Sequence, residues 1–168
     1  IYWSKSAKPH MVDIGKELRE LTHTYVAFQS LDPIVLKAIK RDNIGTDKLM
    51  SLIDKLREYT YSTSTDILLG LPNETFDSHI SSLETALGYG FDLIQGGEIR
   101  LLPGSDLESV ADREKFKLKT KYRLCEGQYG YYRGKLICEF EEVVRQTSTM
   151  TEDEMMRLRV LRTLFFAS

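Results

Sequence analysis

The sequence predicts an α/β fold with parallel strands over residues 1–105 and a smaller α+β extension over residues 106–168. Three observations carry that prediction. Apolar residues recur first at helical spacing and then in short extended runs, in alternation, as βαβ units require. Apolar runs such as Ile67-Leu68-Leu69 suit strands covered on both faces, the normal situation in a parallel sheet. Beyond Ser105 the alternation stops, and a charged stretch, a hairpin pattern and a final helix follow.

The elements follow in order. Met11, Ile14, Leu18 and Leu21 share a helical stripe, and the run from Thr24 to Gln29 reads as a strand. Asp32 is placed as an N-cap ahead of Pro33, opening a short helix through Lys40. Leu49, Leu52, Ile53 and Leu56 mark a longer helix that Thr46 or Asp47 caps. A strand from Ser64 to Leu71 comes next, ended by Gly70-Leu71-Pro72. Thr75 then caps a helix whose face is Phe76, Ile80, Leu83 and Leu87, and Gly88 and Gly90 stop it. A last strand region runs from Phe91 to Leu102, and Pro103-Gly104 turns away from it. In the extension, the arms Tyr131-Tyr132 and Leu136-Ile137-Cys138 flank an Arg133-Gly134 turn. Thr151-Glu152-Asp153-Glu154 is a capping-box sequence opening a helix along Met155, Leu158, Leu161, Leu164 and Phe165.

Composition narrows the function classes. At 42% apolar and 29% charged residues the chain has the means to bury a core. A net charge of −2 gives no general attraction for nucleic acid or an anionic membrane, and the expected partner is a small-molecule substrate. No apolar run is long enough to span a bilayer and no leader pattern precedes the fold, so a cytoplasmic protein is expected. Ile1-Tyr2-Trp3-Ser4 looks like the end of a strand, which reads as the later part of a longer protein cut within a fold. A strand edge exposed by such a cut predicts pairing with a second copy. Cys125 and Cys138 are read as a reduced pair, too few to hold a four-iron cluster.

In parallel α/β sheets, ligands gather at the carboxyl ends of strands, where Gln29, the Gly70–Glu74 turn and the Leu102–Ser105 turn all fall. The segment Asp66-Ile67-Leu68-Leu69-Gly70-Leu71-Pro72-Asn73-Glu74-Thr75 resembles the fifth strand and following turn of radical S-adenosylmethionine (radical SAM) enzymes. Arg41 follows Gln29 by 12 residues and Asp66 follows Arg41 by 25, a spacing similar to the cofactor contacts of radical enzymes related to oxygen-independent coproporphyrinogen oxidase. The resemblance implies a partial (β/α) TIM-like half barrel binding S-adenosylmethionine. In it Gln29 and Asp66 meet the ribose hydroxyls, and Arg41 meets the methionine carboxylate. A carboxylate accepts from a cis-diol and a guanidinium forks onto a carboxylate, so the residue types suit the roles. Leu68 either covers the adenine or simply packs in the core, and Gly70 would let the cofactor approach the backbone. Glu74 is first a helix-dipole partner.

The family's Cys-x3-Cys-x2-Cys motif does not occur here, so the 4Fe-4S cluster would take its ligands from outside this chain. The resemblance further implies that the intact enzyme cleaves S-adenosylmethionine to methionine and a 5′-deoxyadenosyl radical, which removes hydrogen from a substrate carbon. The extension is similar to that of members with a cobalamin-binding region ahead of the barrel, which adds cobalamin as a cofactor of the full-length protein. The alternative is a non-catalytic α/β binding module whose Gly-Leu-Pro turn is only a connector.

Other features read more plainly. Gly96 and Gly97 are taken as a bulge or close-packing site rather than as the family's Gly-Gly-Glu motif, which lies on an earlier strand. Arg100 faces either a substrate or an ion-pair partner. Lys115, Lys117, Lys119, Lys121 and Arg123 alternate as a solvated basic face, and His10, His23 and His79 show no metal-ligand spacing.

Overall fold

The computed structural model describes residues 14, 16–18, 24–43, 45–59 and 62–166. Two compact units account for them: Ile1–Leu68 with Glu74–Gly97, and Leu69–Asn73 with Glu98–Ser168. Compactness therefore divides the chain at Gly97, ahead of the expected boundary at 105, and puts the Gly-Leu-Pro turn with the later residues.

The first unit is built on a parallel three-stranded sheet, ordered β1 (Thr24–Gln29), β2 (Thr63–Ile67), β3 (Leu93–Gln95). Between the strands lie α1 (Pro33–Ala38), α2 (Thr46–Tyr59) and α3 (Phe76–Gly88). The starts of α1 and α3 are chemically specified. Asp32 accepts from the Ile34 N–H at 2.7 Å ahead of Pro33, and Thr75 forms a reciprocal capping box with Ser78. At α2 the helix opens at Thr46 itself, with Asp47 in its first turn.

The middle strand departs from expectation. It runs Thr63–Ile67, starting one residue before the expected Ser64 and ending four short of Leu71, and it is buried along its whole length yet mostly polar. Its threonines satisfy themselves: Thr65 Oγ1 donates to the Val26 carbonyl at 2.7 Å, and Thr63 donates through N–H and Oγ1 to Asp92. β-Branched threonine favours the extended backbone, and these bonds remove the usual cost of burying it. The core is Val26, Phe28, Ile53, Ile67, Leu83, Ala86 and Phe91, with Phe28 and Phe91 packed edge to face at 5.7 Å. On α3 the buried face is His79, Ser82, Leu83 and Ala86, while Leu87 is largely exposed, so the expected stripe is rotated. Ile14 is exposed as well, and Met11, Leu21, His10 and His23 lie outside the described residues.

The expected strand from Phe91 to Leu102 divides between two sheets. Leu93–Gln95 pairs with β2, whereas Arg100 bridges antiparallel to Val143 and its neighbours bond to Glu142 and Val144. Gly96 and Gly97 stand between these pairings. The partner offset is the same at Asp66↔Gln95 and Leu69↔Glu98, and a Cβ on Gly97 would meet nothing within 4 Å. They are therefore not a bulge, and Gly97 is not a close-packing site.

The second unit carries a short 3-10 turn (Asp106–Glu108), α4 (Val110–Lys115), the hairpin β4 (Lys119–Tyr132) and β5 (Lys135–Gln146), and α5 (Glu152–Phe166). Arg133-Gly134 forms the hairpin turn as expected, with both residues at positive φ. Thr151 and Glu154 close the α5 capping box, and Met155 and Leu158 are fully buried. The alternating lysines do not form one face: Lys115 ends α4, a turn follows, and only Lys119 and Lys121 enter the strand. Lys121 pairs with Glu152 at 2.6 Å and Arg123 with Glu141 at 2.5 Å. Arg113 grips Glu142 through two 2.6 Å bonds.

That fork, joined by Thr120, holds the Glu142 carboxyl down to about 2 from an ordinary 4.5. A carboxyl with the lower value in the folded state stabilises the fold fully above its unfolded value. The contribution fades as pH falls from about 4.5 toward 2. We expect Glu142→Gln to cost on the order of 1–3 kcal/mol at neutral pH and to flatten the acid side of the stability curve. Denaturant titrations at stepped pH measure this, and an unchanged acid limb would contradict it.

Candidate functional site

The site is built where β1 ends. Pairing with β2 runs in register from Thr24↔Thr63 to Ala27↔Asp66, slips at Phe28, and resumes with Gln29 opposite Ile67. Gln29 itself turns into the left-handed region at φ +65°. Two bonds hold it there: its N–H donates to Asp66 Oδ1 at 3.4 Å, and its carbonyl accepts from the Leu68 N–H at 2.8 Å. Asp66 thus stands at the carboxyl end of the central strand, buried and in contact with the outgoing backbone of β1.

Arg41 reaches the same place from the loop after α1. Its Nη2 donates to the Ala27 carbonyl and its Nε to Asn43 Oδ1 at 3.2 Å. Asn43 in turn donates to the Ser30 carbonyl at 2.7 Å. One edge of the guanidinium is therefore spent on fixing its own position. Among the described residues Arg41 Nη1, Asp66 Oδ2 and the Gln29 side-chain amide have no hydrogen-bond partner. A cleft of about 460 Å³ opens beside Arg41, lined also by Lys37, Lys40, Asp42 and Asn43, with Gln29 and Asp66 outside its lining. Its cations suit an anionic group.

The structure thus brings together Gln29, Arg41 and Asp66, and sets Leu68 against the same backbone. Asn43 was not singled out from sequence. Its only signal was an amide two positions after an arginine in a loop, which is weak because loops are rich in asparagine. Gly70 belongs to the other unit, and there the space over its Cα is filled. A Cβ at Gly70 would stand 2.6 Å from Met155 Cε, and its φ is +88°. Packing and backbone conformation account for this glycine, where a cofactor approach was expected. Glu74 also has another occupation: it is buried and meets His79 Nδ1 at 2.8 Å, so His79 is a core residue with an acidic partner. Arg100 takes the ion-pair option, with Nε 3.0 Å from Glu141 Oε2.

Comparison with known proteins bears on the same stretch. No family model matches the chain. TokK of Streptomyces tokunonensis, a cobalamin-dependent radical SAM methyltransferase, is 30% identical over 124 residues, 71% of this chain and 18% of that protein. The chain thus spans less than a fifth of that relative's length. Escherichia coli coproporphyrinogen III oxidase (HemN), a radical SAM enzyme, superposes with a TM-score of 0.52 at 20% identity, over 68% of this chain and 26% of its own. TsrM of Kitasatospora setae, a radical S-adenosylmethionine methyltransferase solved with tryptophan and a cofactor analogue, gives a TM-score of 0.57 at 16% identity, over 76% of this chain and 25% of its own. The two structures establish the fold, mixed α/β with a parallel sheet.

At Gly70 the packing account is testable in isolation. Gly70→Ala should lower stability by about 1–3 kcal/mol, because alanine resists positive φ and its methyl meets Met155. In a Met155→Ala background the penalty should shrink without vanishing, since only the contact is relieved. Urea unfolding of the four chains checks this, and a neutral Gly70→Ala would contradict it.

Proposed function

We propose, from the premise that this chain belongs to the radical S-adenosylmethionine superfamily, that it is the part of such an enzyme that holds the nucleoside and carboxylate ends of S-adenosylmethionine. The observation that carries the reading is the convergence of Gln29, Arg41 and Asp66 on the carboxyl end of β1, each with polar capacity unspent among the described residues. The donor set fits the cofactor. Asp66 Oδ2 would accept from a ribose hydroxyl and the Gln29 amide would add a second contact. Arg41, already fixed by Ala27 and Asn43, would offer Nη1 to the methionine carboxylate. A guanidinium held in advance loses little freedom on binding. Leu68 would supply an apolar surface beside them.

When bound and reduced, S-adenosylmethionine supplies the radical chemistry by which hydrogen is removed or a methyl group moved; this chain's part is to bind, orient and shield it. The residues present do not fit an iron–sulfur cluster. Both cysteines lie on the β4–β5 hairpin, and no three His, Cys, Asp or Glu side chains come together among the described residues to hold a metal.

Calorimetry in the intact enzyme tests the reading. Arg41→Ala should weaken S-adenosylmethionine binding by roughly 1.5–3 kcal/mol, the worth of a hydrogen bond to a charged group. Arg41→Lys should recover only part of it, because the ammonium cannot keep Ala27, Asn43 and the ligand together. Gln29→Ala should lose less than Asp66→Ala, and Lys119→Ala, on the exposed start of β4, should lose nothing. Thermal melts of each variant separate binding from folding. Folded Arg41 and Asp66 variants that bind as tightly as Lys119→Ala would favour the non-catalytic binding module.

A further inference from the structure

Residues 98–100 run beside β5 and extend the hairpin by a third segment. Arg100 bridges antiparallel to Val143, whose other neighbour across the ladder is Lys121. Opposed residues point to one face, and so do residues two apart along a strand, which sets Arg100, Lys121 and Arg123 on the same side. Arg145, at the register shift near the end of β5, and Arg159 of α5 join them through shared carboxylates. Glu98 Oε1 meets Arg145 and Arg159 at 3.3 and 2.8 Å, and its Oε2 meets Arg123 at 3.2 Å. Glu141 is shared by Arg123 and Arg100 at 2.5 and 3.0 Å, and Glu152 by Lys121 and Arg145 at 2.6 and 3.4 Å.

Two features separate this network from ordinary surface pairing. Five cations stand against three carboxylates, in a chain whose net charge is −2. Glu139, the next acid along β5, pairs with none of them among the described residues. The acids are also the deeper members. The side chains of Glu98 and Glu141 are 7% and 14% exposed, whereas those of Arg100, Arg123 and Arg159 are 54%, 44% and 37% exposed. What meets water here is guanidinium. Arg123 and Arg145 each spend Nε and Nη1, which leaves Nη2 without a partner among the described residues. Arg100 and Arg159 approach their carboxylates most closely through Nε.

We propose that this face binds a doubly charged oxyanion of a small molecule, a phosphate ester or a dicarboxylate. An excess of two positive charges is neutralised by one dianion, which relieves the mutual repulsion of the gathered cations. Guanidiniums already fixed by buried acids offer their remaining N–H groups to an oxyanion with little further loss of freedom. None of these residues belongs to the Gln29, Arg41 and Asp66 set, so the face recognises a molecule other than S-adenosylmethionine.

Calorimetric titration of the intact enzyme with inorganic phosphate and with malonate, at low ionic strength, is the test. Saturable binding of at least one is expected, and the tighter of the two tells a phosphate ester from a dicarboxylate. Arg100→Gln and Lys121→Gln should each weaken it about threefold or more, and together about tenfold. Glu152→Gln should tighten it about threefold, because it removes a negative charge and releases Lys121 and Arg145. A network that serves only the fold gives no such gain. Arg133→Gln at the hairpin turn and Arg41→Ala should leave binding unchanged, and thermal melts show which variants are folded. The proposal is overturned if neither anion binds saturably, or if folded Lys121→Gln and Glu152→Gln variants bind as the wild type does. An equal loss in Arg133→Gln would mean general charge attraction, and a loss confined to Arg41→Ala would put the anion in the cleft beside α1; either result also overturns it.

Discussion

At the carboxyl end of β1 the chain leaves its ladder through a slip at Phe28, and the bond from the Gln29 N–H to Asp66 holds the exit in place. Left-handed backbone at a non-glycine residue costs roughly 1–2 kcal/mol. Here that cost is offset by the Asp66 and Leu68 bonds and by Phe28, which stays buried against Phe91. The consequence is positional. The Ala27 carbonyl is turned where Arg41 can reach it, Ser30 is brought where Asn43 can, and a carboxylate, an amide and a guanidinium gather around one strand end. Loosening the exit would scatter all three.

How much of this could be read from residues alone depends on the range of the interaction. Local chemistry was legible: Asp32 before Pro33, Thr75 with its capping box, Thr151 with Glu154 and the Arg133-Gly134 turn are all decided within four residues. Gln29, Arg41 and Asp66 were singled out through family spacing rather than through any local signal. What failed was decided by tertiary pairing. The apolar run Leu68-Leu69 drew the expected strand four residues too far, to Leu71, whereas the ladder closes at Ile67 and the threonines within it find carbonyl and carboxylate partners that no periodicity displays. The α3 stripe was misjudged for the same reason, because His79 and Ser82 are buried by hydrogen bonds to Glu74 and to the Leu31 N–H.

In the second unit the organising group is Glu98, which reads in sequence as the tail of a Gly-Gly-Glu. It is nearly buried and meets Arg123, Arg145 and Arg159 at 3.2, 3.3 and 2.8 Å. One carboxylate thereby ties both hairpin strands and α5 to the residues after β3. A buried carboxylate ringed by cations depends on its partners for compensation of its desolvation, so removing a partner costs more than the cluster contributes in net stability. Nothing in the spacing of three arginines spread over the last third of the chain announces that meeting point.

Asp66 is proposed to accept from the ribose hydroxyls of S-adenosylmethionine. The most direct measurement compares the affinity of the intact enzyme for S-adenosylmethionine and for its 2′-deoxy and 3′-deoxy analogues, in the wild-type protein and in Asp66→Ala. If the carboxylate accepts from the diol, at least one deoxy analogue binds the wild-type protein about tenfold or more weakly, and that discrimination collapses in Asp66→Ala. Discrimination that is equal in both proteins would contradict it, and would leave Asp66 as the anchor of the Gln29 backbone and nothing more.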